Sequence, residues 1–217
     1  MTKSLDRLSA NRLIVIGAGA SGLMAAGRAA EMGAEVLLLE KMEKPGKKIL
    51  WSGKTRCNLT NIKSQAEFIA MYGSNGRFLY SAFNCFFRDD LLALLKLYGV
   101  DTKVERGGRI FPTSDRASDV VAALRYYASD HGVKMETGSR VTGLEIGDGS
   151  LKGVRLENGI KYGGAVILAT GGASCPSTGS TGDGFRMAEE AGHSIVGIRP
   201  ALVPLIVNEV QLASGMQ

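Results

Sequence analysis

An α/β fold built on a parallel sheet is the class this sequence predicts, and three observations predict it. Two short apolar runs, residues 13–16 and 36–39, flank a glycine-rich turn and an alanine-rich stretch. A third apolar run, residues 165–169, returns late in the chain. Between them, from residue 133 to 162, apolar and polar residues alternate in pieces broken by Gly, Asp and Asn, the pattern of an antiparallel meander. Strands buried on both faces read as continuous apolar runs, and strands joined through a helix lie parallel.

In chain order, residues 13–16 run into Gly17 and read as a buried strand. Residues 20–32 read as a helix closed by Gly33, glycine being a common helix terminator. Residues 35–40 give the second strand. Strand, turn, helix and strand then form one βαβ unit with a right-handed crossover. Residues 41–61 are polar and rich in Lys, Gly and Asn, with at most a turn of helix at 47–50; long ordered loops of this kind tend to carry function. Helical patterns follow at 65–72, 76–86 and 88–98. Residues 107–112 read as a turn into a short extended piece, and 115–131 as a helix with Ser114 or Asp115 as N-cap. Pieces 134–136, 140–146, 151–157 and 159–162 make up the expected meander. Residues 165–169 form the third buried strand and run into Thr170-Gly171-Gly172. Residues 184–191 are helical, and 199–205 are extended between prolines.

Apolar residues at 45% and charged residues at 22% are ordinary for a soluble globular chain with a sizeable core. The 29 glycines fall largely in clusters, which points to tight turns and close approach of backbone to a ligand. The net charge of +5 is spread without a basic run, which argues against nucleic acid as partner and suits an anionic cofactor equally well. Three cysteines without a CxxC pair, Cys57, Cys85 and Cys175, indicate neither a disulfide framework nor a zinc site, so a reducing cytoplasm is expected. No apolar run reaches the ~18 residues of a membrane span, and the polar start carries no signal core. The two histidines, His131 and His193, each stand beside a glycine at a helix end, where a cation is mildly favoured. No metal site and no catalytic acid or base is read from the sequence.

The strongest signal is Gly17-Ala18-Gly19-Ala20-Ser21-Gly22. Alone, such spacing is weak; here it follows a buried strand and opens a helix. Gly17 permits the turn, Gly19 leaves room for a pyrophosphate, and Gly22 lets the helix pack on the sheet. The amides at the helix start face a diphosphate, and Glu40, ending the second strand, is placed to accept hydrogen bonds from ribose hydroxyls. An acid there also disfavours a 2′-phosphate.

This fingerprint does not separate FAD from NAD. The long polar loop with its helices, the interposed meander, and the Ala169-Thr170-Gly171-Gly172 ending of the third strand favour FAD. With these features the sequence resembles two-dinucleotide-binding-domain flavoproteins. More closely it is similar to the BaiN/RdsA-type NAD(P)/FAD-dependent oxidoreductases, also labelled aminoacetone-oxidase-family FAD-binding enzymes. The stretches that carry the resemblance are VIGAGASGLMAA (15–26), EVLLLEK (35–41), PGKKILWSGKTRCNLTN (45–61), GGRIFPTSDRASDVV (107–121), ILATGGASCPSTGSTGDGFRMAEEAGH (167–193) and RPALVPL (199–205).

The resemblance implies a Rossmann-like FAD-binding domain of three layers over residues 1–200, with a parallel sheet and an antiparallel meander. It implies a family chain nearly twice this length, so residues 201–217 are expected to begin the connection to a second domain. Residues Gly17, Ala18, Gly19, Ala20, Ser21 and Gly22 would surround the pyrophosphate, and Glu40 and Lys41 would hold the ribose. Lys48, Gly53, Arg56, Cys57 and Asn58 would follow the ribityl chain and flavin, and Val141 would meet adenine through its backbone. Ala169, Thr170, Gly171 and Gly172 would close over the cofactor, and the 178–183 segment with Asp183 would lie towards the ring. The implied activity is hydride transfer from NAD(P)H through FAD to a small organic substrate. Family members often carry glycine where this chain has Thr55, and an aromatic where it has Cys175. Plainer roles stand beside these: Lys47 and Lys48 as a solvated charged face, Asp183 as a helix cap, Cys57 as a redox thiol or a backbone element of the loop. Outside that activity, a non-catalytic nucleotide-binding fragment and a flavoprotein acting on RNA are the alternatives.

Overall fold

The computed structural model describes residues 8–200. The expected connection at 201–217, including the end of the 199–205 extended piece, lies outside the described residues.

A six-stranded sheet carries the domain. Its strands are β1 (Leu8–Ile16), β2 (Glu35–Leu39), β6 (Lys134–Glu136), β7 (Val141–Gly147), β8 (Ser150–Leu156) and β9 (Lys161–Leu168), in the order β6-β2-β1-β9-β8-β7. The first four in that order are parallel, with Leu13 to Ile16 in register with both Val36 to Leu39 and Ala165 to Leu168. β7, β8 and β9 are antiparallel. Helices α1 (Ala20–Glu31) and α6 (Ala117–Asp130) cover one face, where Leu23, Ala26, Val120, Ala123 and Leu124 pack on Val15, Val36 and Leu38. The other face buries Ile14, Ile16, Leu37 and Leu39 beneath Val141, Val154, Leu156, Tyr162 and Met187 of α7 (Asp183–Glu190). Each fully buried aliphatic side chain contributes roughly 1.5–3 kcal/mol, so both cores are substantial.

The excursion after β2 holds α2 (Lys47–Trp51), β3 (Thr60–Asn61), α3 (Gln65–Met71), α4 (Tyr80–Cys85), α5 (Arg88–Leu97), β4 (Thr102–Glu105) and β5 (Arg109–Pro112). The last two strands and β3 form a second, antiparallel sheet in the order β3-β5-β4. Ser64 and Glu67 make a reciprocal capping box at the start of α3.

Five expectations change. Residues 134–136 do not belong to the meander: they form a parallel edge strand on β2, because α6 crosses back over α1 and delivers the chain there. The pieces 159–162 and 165–169 are one strand, whose first half pairs with β8 and second half with β1. A glycine pair at 163–164 makes this passage possible: at Gly164, φ 146°, a Cβ would lie 2.3 Å from the carbonyl oxygen of Arg12. The C-terminal half of β9 is only partly buried, with Leu168 38% exposed, because nothing among the described residues covers its outer face fully. Finally, the 76–86 helix divides into a 3-10 turn (Gly73–Leu79) and α4, and α6 starts at Ala117 with Arg116, not Ser114 or Asp115, as N-cap. Asp115 is left-handed (φ 55°), and its carboxylate is held by Arg56 and Lys103.

Candidate functional site

The turn after β1 uses its three glycines for three different reasons. Gly17 donates its N–H to the Leu39 carbonyl at 2.7 Å and sits at φ 101°, and a Cβ there would lie 2.6 Å from the Ala169 carbonyl oxygen. Gly22 is pressed onto the same turn: its Cβ would fall 1.8 Å from the Gly17 oxygen. Gly19 is different. Its backbone is extended (φ −81°, ψ −169°), and nothing lies within 4 Å of where a Cβ would stand. It is the N-cap of α1 without a side-chain cap, and the first intrahelical bond runs from Leu23 N–H to the Gly19 carbonyl. The amides of Ala20, Ser21 and Gly22 therefore have no intrahelical acceptor.

Ala20 and Ser21 line a cavity of about 620 Å³, a size typical of small-molecule sites. Fifteen of the expected residues line it: Gly17, Ala18, Gly19, Ala20, Ser21, Glu40, Lys41, Lys48, Cys57, Asn58, Val141, Ala169, Thr170, Gly171 and Asp183. Gly22, Gly53, Arg56 and Gly172 do not. Gly22 is buried in the helix–strand contact. A Cβ at Gly53 would sit 2.8 Å from the Asn58 amide nitrogen and 3.2 Å from the Phe111 ring, so this glycine shapes the loop. Arg56 is paired with Glu105 and Asp115. Gly172 accepts the Gly182 amide at 3.1 Å and so ties the third-strand turn to the segment before α7.

Glu40 is buried, and its carboxylate reaches back to the turn. Oε2 accepts the Ala18 amide at 2.6 Å and Oε1 the Met42 amide at 2.8 Å, so the acid is fixed at the cavity wall while each oxygen keeps further acceptor capacity. Lys41 does not extend freely: Nζ donates to Thr181 Oγ1 at 2.5 Å and Asp183 Oδ2 at 2.7 Å. Burial pushes the Asp183 carboxyl up, but the hydrogen bond and charge of Lys41, with Thr181 and Arg140 beyond, outweigh it and leave the group below the usual aspartate range. Asp183 is thus not the cap of α7, whose N-cap is Gly182; it joins the β2 end to the 178–183 segment.

Three further cations, Lys44, Lys47 and Lys48, line the cavity and form no ion pair among the described residues. Gly46 anchors their loop by donating to the Ala18 carbonyl at 2.8 Å. Cys57 is buried, left-handed at φ 63°, and its thiol is pushed up by burial, with Ser52 opposing. That is the opposite of a thiol tuned for redox attack. In the orientation that satisfies its amide, Asn58 donates to the carbonyls of Thr60 at 3.1 Å and Ile110 at 3.3 Å.

The lining also includes residues that the sequence did not single out. Ser52 and Ser139 add polar atoms, and Phe86, Leu91, Leu95, Val120 and Leu124 supply an apolar wall; Thr178 and Ser180, from the expected 178–183 segment, also line the cavity. The helical ones read in sequence as ordinary packing, and only the apposition of α5 and α6 reveals them as a wall. Among the described residues no group of His, Cys, Asp or Glu could hold a metal ion, and no helix is long and apolar enough to cross a membrane.

Residues 11–201 match the profile of the HI0933-like protein Rossmann domain. The chain is 38% identical over 209 residues to a 3-dehydro-bile acid delta(4,6)-reductase of Clostridium scindens, covering 94% of this chain and 50% of that protein. It is 32% identical over 210 residues to the ribosomal RNA dihydrouridine synthase of Escherichia coli, covering 94% and 51%. The chain spans about half the length of these curated relatives. Among solved structures it superposes on the open conformation of a flavocytochrome c3 fumarate reductase with a TM-score of 0.66, at 24% identity over 87% of this chain and 42% of that one. A 3-ketosteroid-delta4-(5alpha)-dehydrogenase from Rhodococcus jostii superposes with a TM-score of 0.64, at 16% identity over 88% and 56%. Identities this low establish a shared fold.

Proposed function

The chain belongs to the HI0933-like Rossmann-domain family, and on that premise we propose that it binds FAD and serves an FAD-dependent oxidoreductase reaction. The observation that carries this reading is the turn at 17–22: the Ala20 and Ser21 amides without intrahelical acceptors, an open space over Gly19 and a fixed acid, Glu40, meet on one cavity wall. A diphosphate fits that donor set, since a helix N-terminus favours an anion by roughly 0.3–2 kcal/mol, and Lys44, Lys47 and Lys48 add positive potential at the same cavity. The adenosine half fits the end where Glu40 and Val141 line the wall, and the ribityl–flavin half runs towards Lys48, Ser52, Cys57 and Asn58.

FAD, when bound, supplies the hydride acceptance and donation. The chain's own residues bind and orient it: the amides hold the diphosphate, Glu40 takes a ribose hydroxyl, and the Phe86, Leu91 and Leu95 wall excludes water. Reduced nicotinamide is the proposed hydride source. One relative is named a 3-dehydro-bile acid delta(4,6)-reductase and the other a ribosomal RNA dihydrouridine synthase; a carbon–carbon double bond polarised by a carbonyl is the proposed acceptor class.

The test is direct. The chain is mixed with FAD, passed through a desalting column and read at the flavin absorbance bands; NADH or NADPH is then added without oxygen. Retained flavin that bleaches on addition supports the full reading. Retained flavin that never bleaches marks a binding fragment without the reaction, and a colourless protein refutes the FAD assignment.

A further inference from the structure

Residues 53–58 follow an improbable path. Gly53, Lys54, Thr55 and Cys57 all lie in the left-handed region, with φ of 57°, 56°, 69° and 63°. Three of these four are not glycine, and Thr55 is β-branched, the type that tolerates this region least. Such a backbone persists only where its surroundings over-determine it.

The surroundings are specific. The Thr55 carbonyl accepts the Ala117 amide at 2.9 Å, and Cys57 donates to the Ser52 carbonyl at 3.0 Å. Arg56, in the middle, directs its guanidinium to the second sheet. Nε and Nη2 donate to Asp115 Oδ1 at 2.8 and 2.6 Å, Nη2 also donates to the Glu105 carboxylate, and Cζ lies 4.4 Å from the centre of the buried Phe111 ring. Lys103 completes the group, 2.6 Å from Asp115 Oδ2 and 3.6 Å from Glu105. A planar fork is needed to serve two carboxylates while stacking on a ring, and lysine cannot reproduce it. None of Arg56, Lys103, Glu105, Phe111 and Asp115 lines the cavity, yet their neighbours Cys57 and Asn58 do.

We infer that Arg56 is a positioning residue: its clamp on Glu105 and Asp115 holds residues 53–58 in the left-handed path that sets Cys57 and Asn58 on the cavity wall. The flavin half of FAD depends on that clamp, and the ADP half does not. The inference rests on the FAD reading above and specifies how the flavin end of that site is built.

Titration of the full chain with FAD and with ADP tests it, using the wild type, Arg56→Lys, Asp115→Asn and Glu105→Gln. Asparagine is well tolerated in the left-handed region, so Asp115→Asn adds no backbone strain. FAD affinity falls at least tenfold in each variant, ADP affinity stays within twofold, and the visible circular dichroism of the bound flavin changes. Adding Thr55→Gly to Arg56→Lys restores part of the FAD affinity, because glycine adopts the path without a clamp. Asp115→Asn and Glu105→Gln that match the wild type for FAD, or exceed it as they would if a released Arg56 touched the flavin itself, overturn the inference. Equal losses for FAD and ADP overturn it too, since they report general unfolding. A wild type that binds neither ligand overturns the FAD reading and this inference with it.

Discussion

Replacing Gly19 by valine separates the ligand-facing glycine from the glycines that serve the scaffold. At Gly19 the backbone is extended and a Cβ meets nothing within 4 Å. Losing glycine from an N-cap costs up to about 1 kcal/mol, and stiffening the unfolded chain offsets about 0.4–1 kcal/mol of it. Folding stability therefore changes by less than about 1 kcal/mol, which moves Tm by no more than ~4 °C in a chain of this size. The side chain does occupy the space over the free amides. Displacing a diphosphate from them forfeits charge-assisted hydrogen bonds of about 1.5–3 kcal/mol, which weakens FAD about 10- to 150-fold. Gly22→Ala behaves in the opposite way: its Cβ would stand 1.8 Å from the Gly17 oxygen, so turn and helix must separate, at a cost of about 1–3 kcal/mol or more. Thermal unfolding and flavin-fluorescence titration of both variants give the two numbers. A Gly19→Val protein that binds FAD like the wild type, or a Gly22→Ala protein that keeps its Tm, refutes the reasoning.

Three further outcomes follow from other parts of the molecule. Thr55→Gly removes a left-handed penalty of about 1–2 kcal/mol against a glycine entropy cost of about 0.5–1 kcal/mol, a net gain of about 0–1.5 kcal/mol, so Tm holds or rises by up to ~6 °C; a lower Tm contradicts the strain assignment. Burial pushes the Tyr127 phenol up, and its hydrogen bond to Glu31, at 2.7 Å, adds to the effect. A group whose pKa is raised on folding stabilises fully below its unfolded value, here about 10, and that contribution is lost as pH rises further. Urea midpoints of the wild type are thus expected to fall steeply above that pH while those of Tyr127→Phe fall less, and parallel curves would count against it. Under native conditions a thiol reagent modifies Cys85 and Cys175, both exposed, well before the buried Cys57; mass spectrometry of the labelled peptides shows the order, and early labelling of Cys57 would place its loop elsewhere.

Much of the fold was legible because its strongest signals are local. The apolar runs around Gly17, the helix between them and Glu40 at the second strand's end are neighbours in sequence, so periodicity alone places them. Strand partners are not local. Residues 134–136 and 159–162 carry the same alternation as the meander, and only the crossover of α6 and the close approach at Gly164 decide that one joins β2 and the other merges into β9. The site divides in the same way. The turn, Glu40 and the third-strand ending were readable as motifs. The apolar wall from α5 and α6 was not, because its residues are spaced like any helix core. The side-chain partners of Arg56 and Lys41 lie 49 or more residues away, beyond what spacing can report.

The central claim is that the ADP portion of the cofactor sits over the 17–22 turn and against Glu40. Isothermal titration of the chain with FAD, ADP and FMN, alone and in competition, tests it most directly. The expected result is that FAD and ADP bind and exclude one another, while FMN alone binds far more weakly. If FMN binds tightly and ADP neither binds nor competes, the diphosphate and adenosine have no place at that turn, and the assignment of the site is wrong.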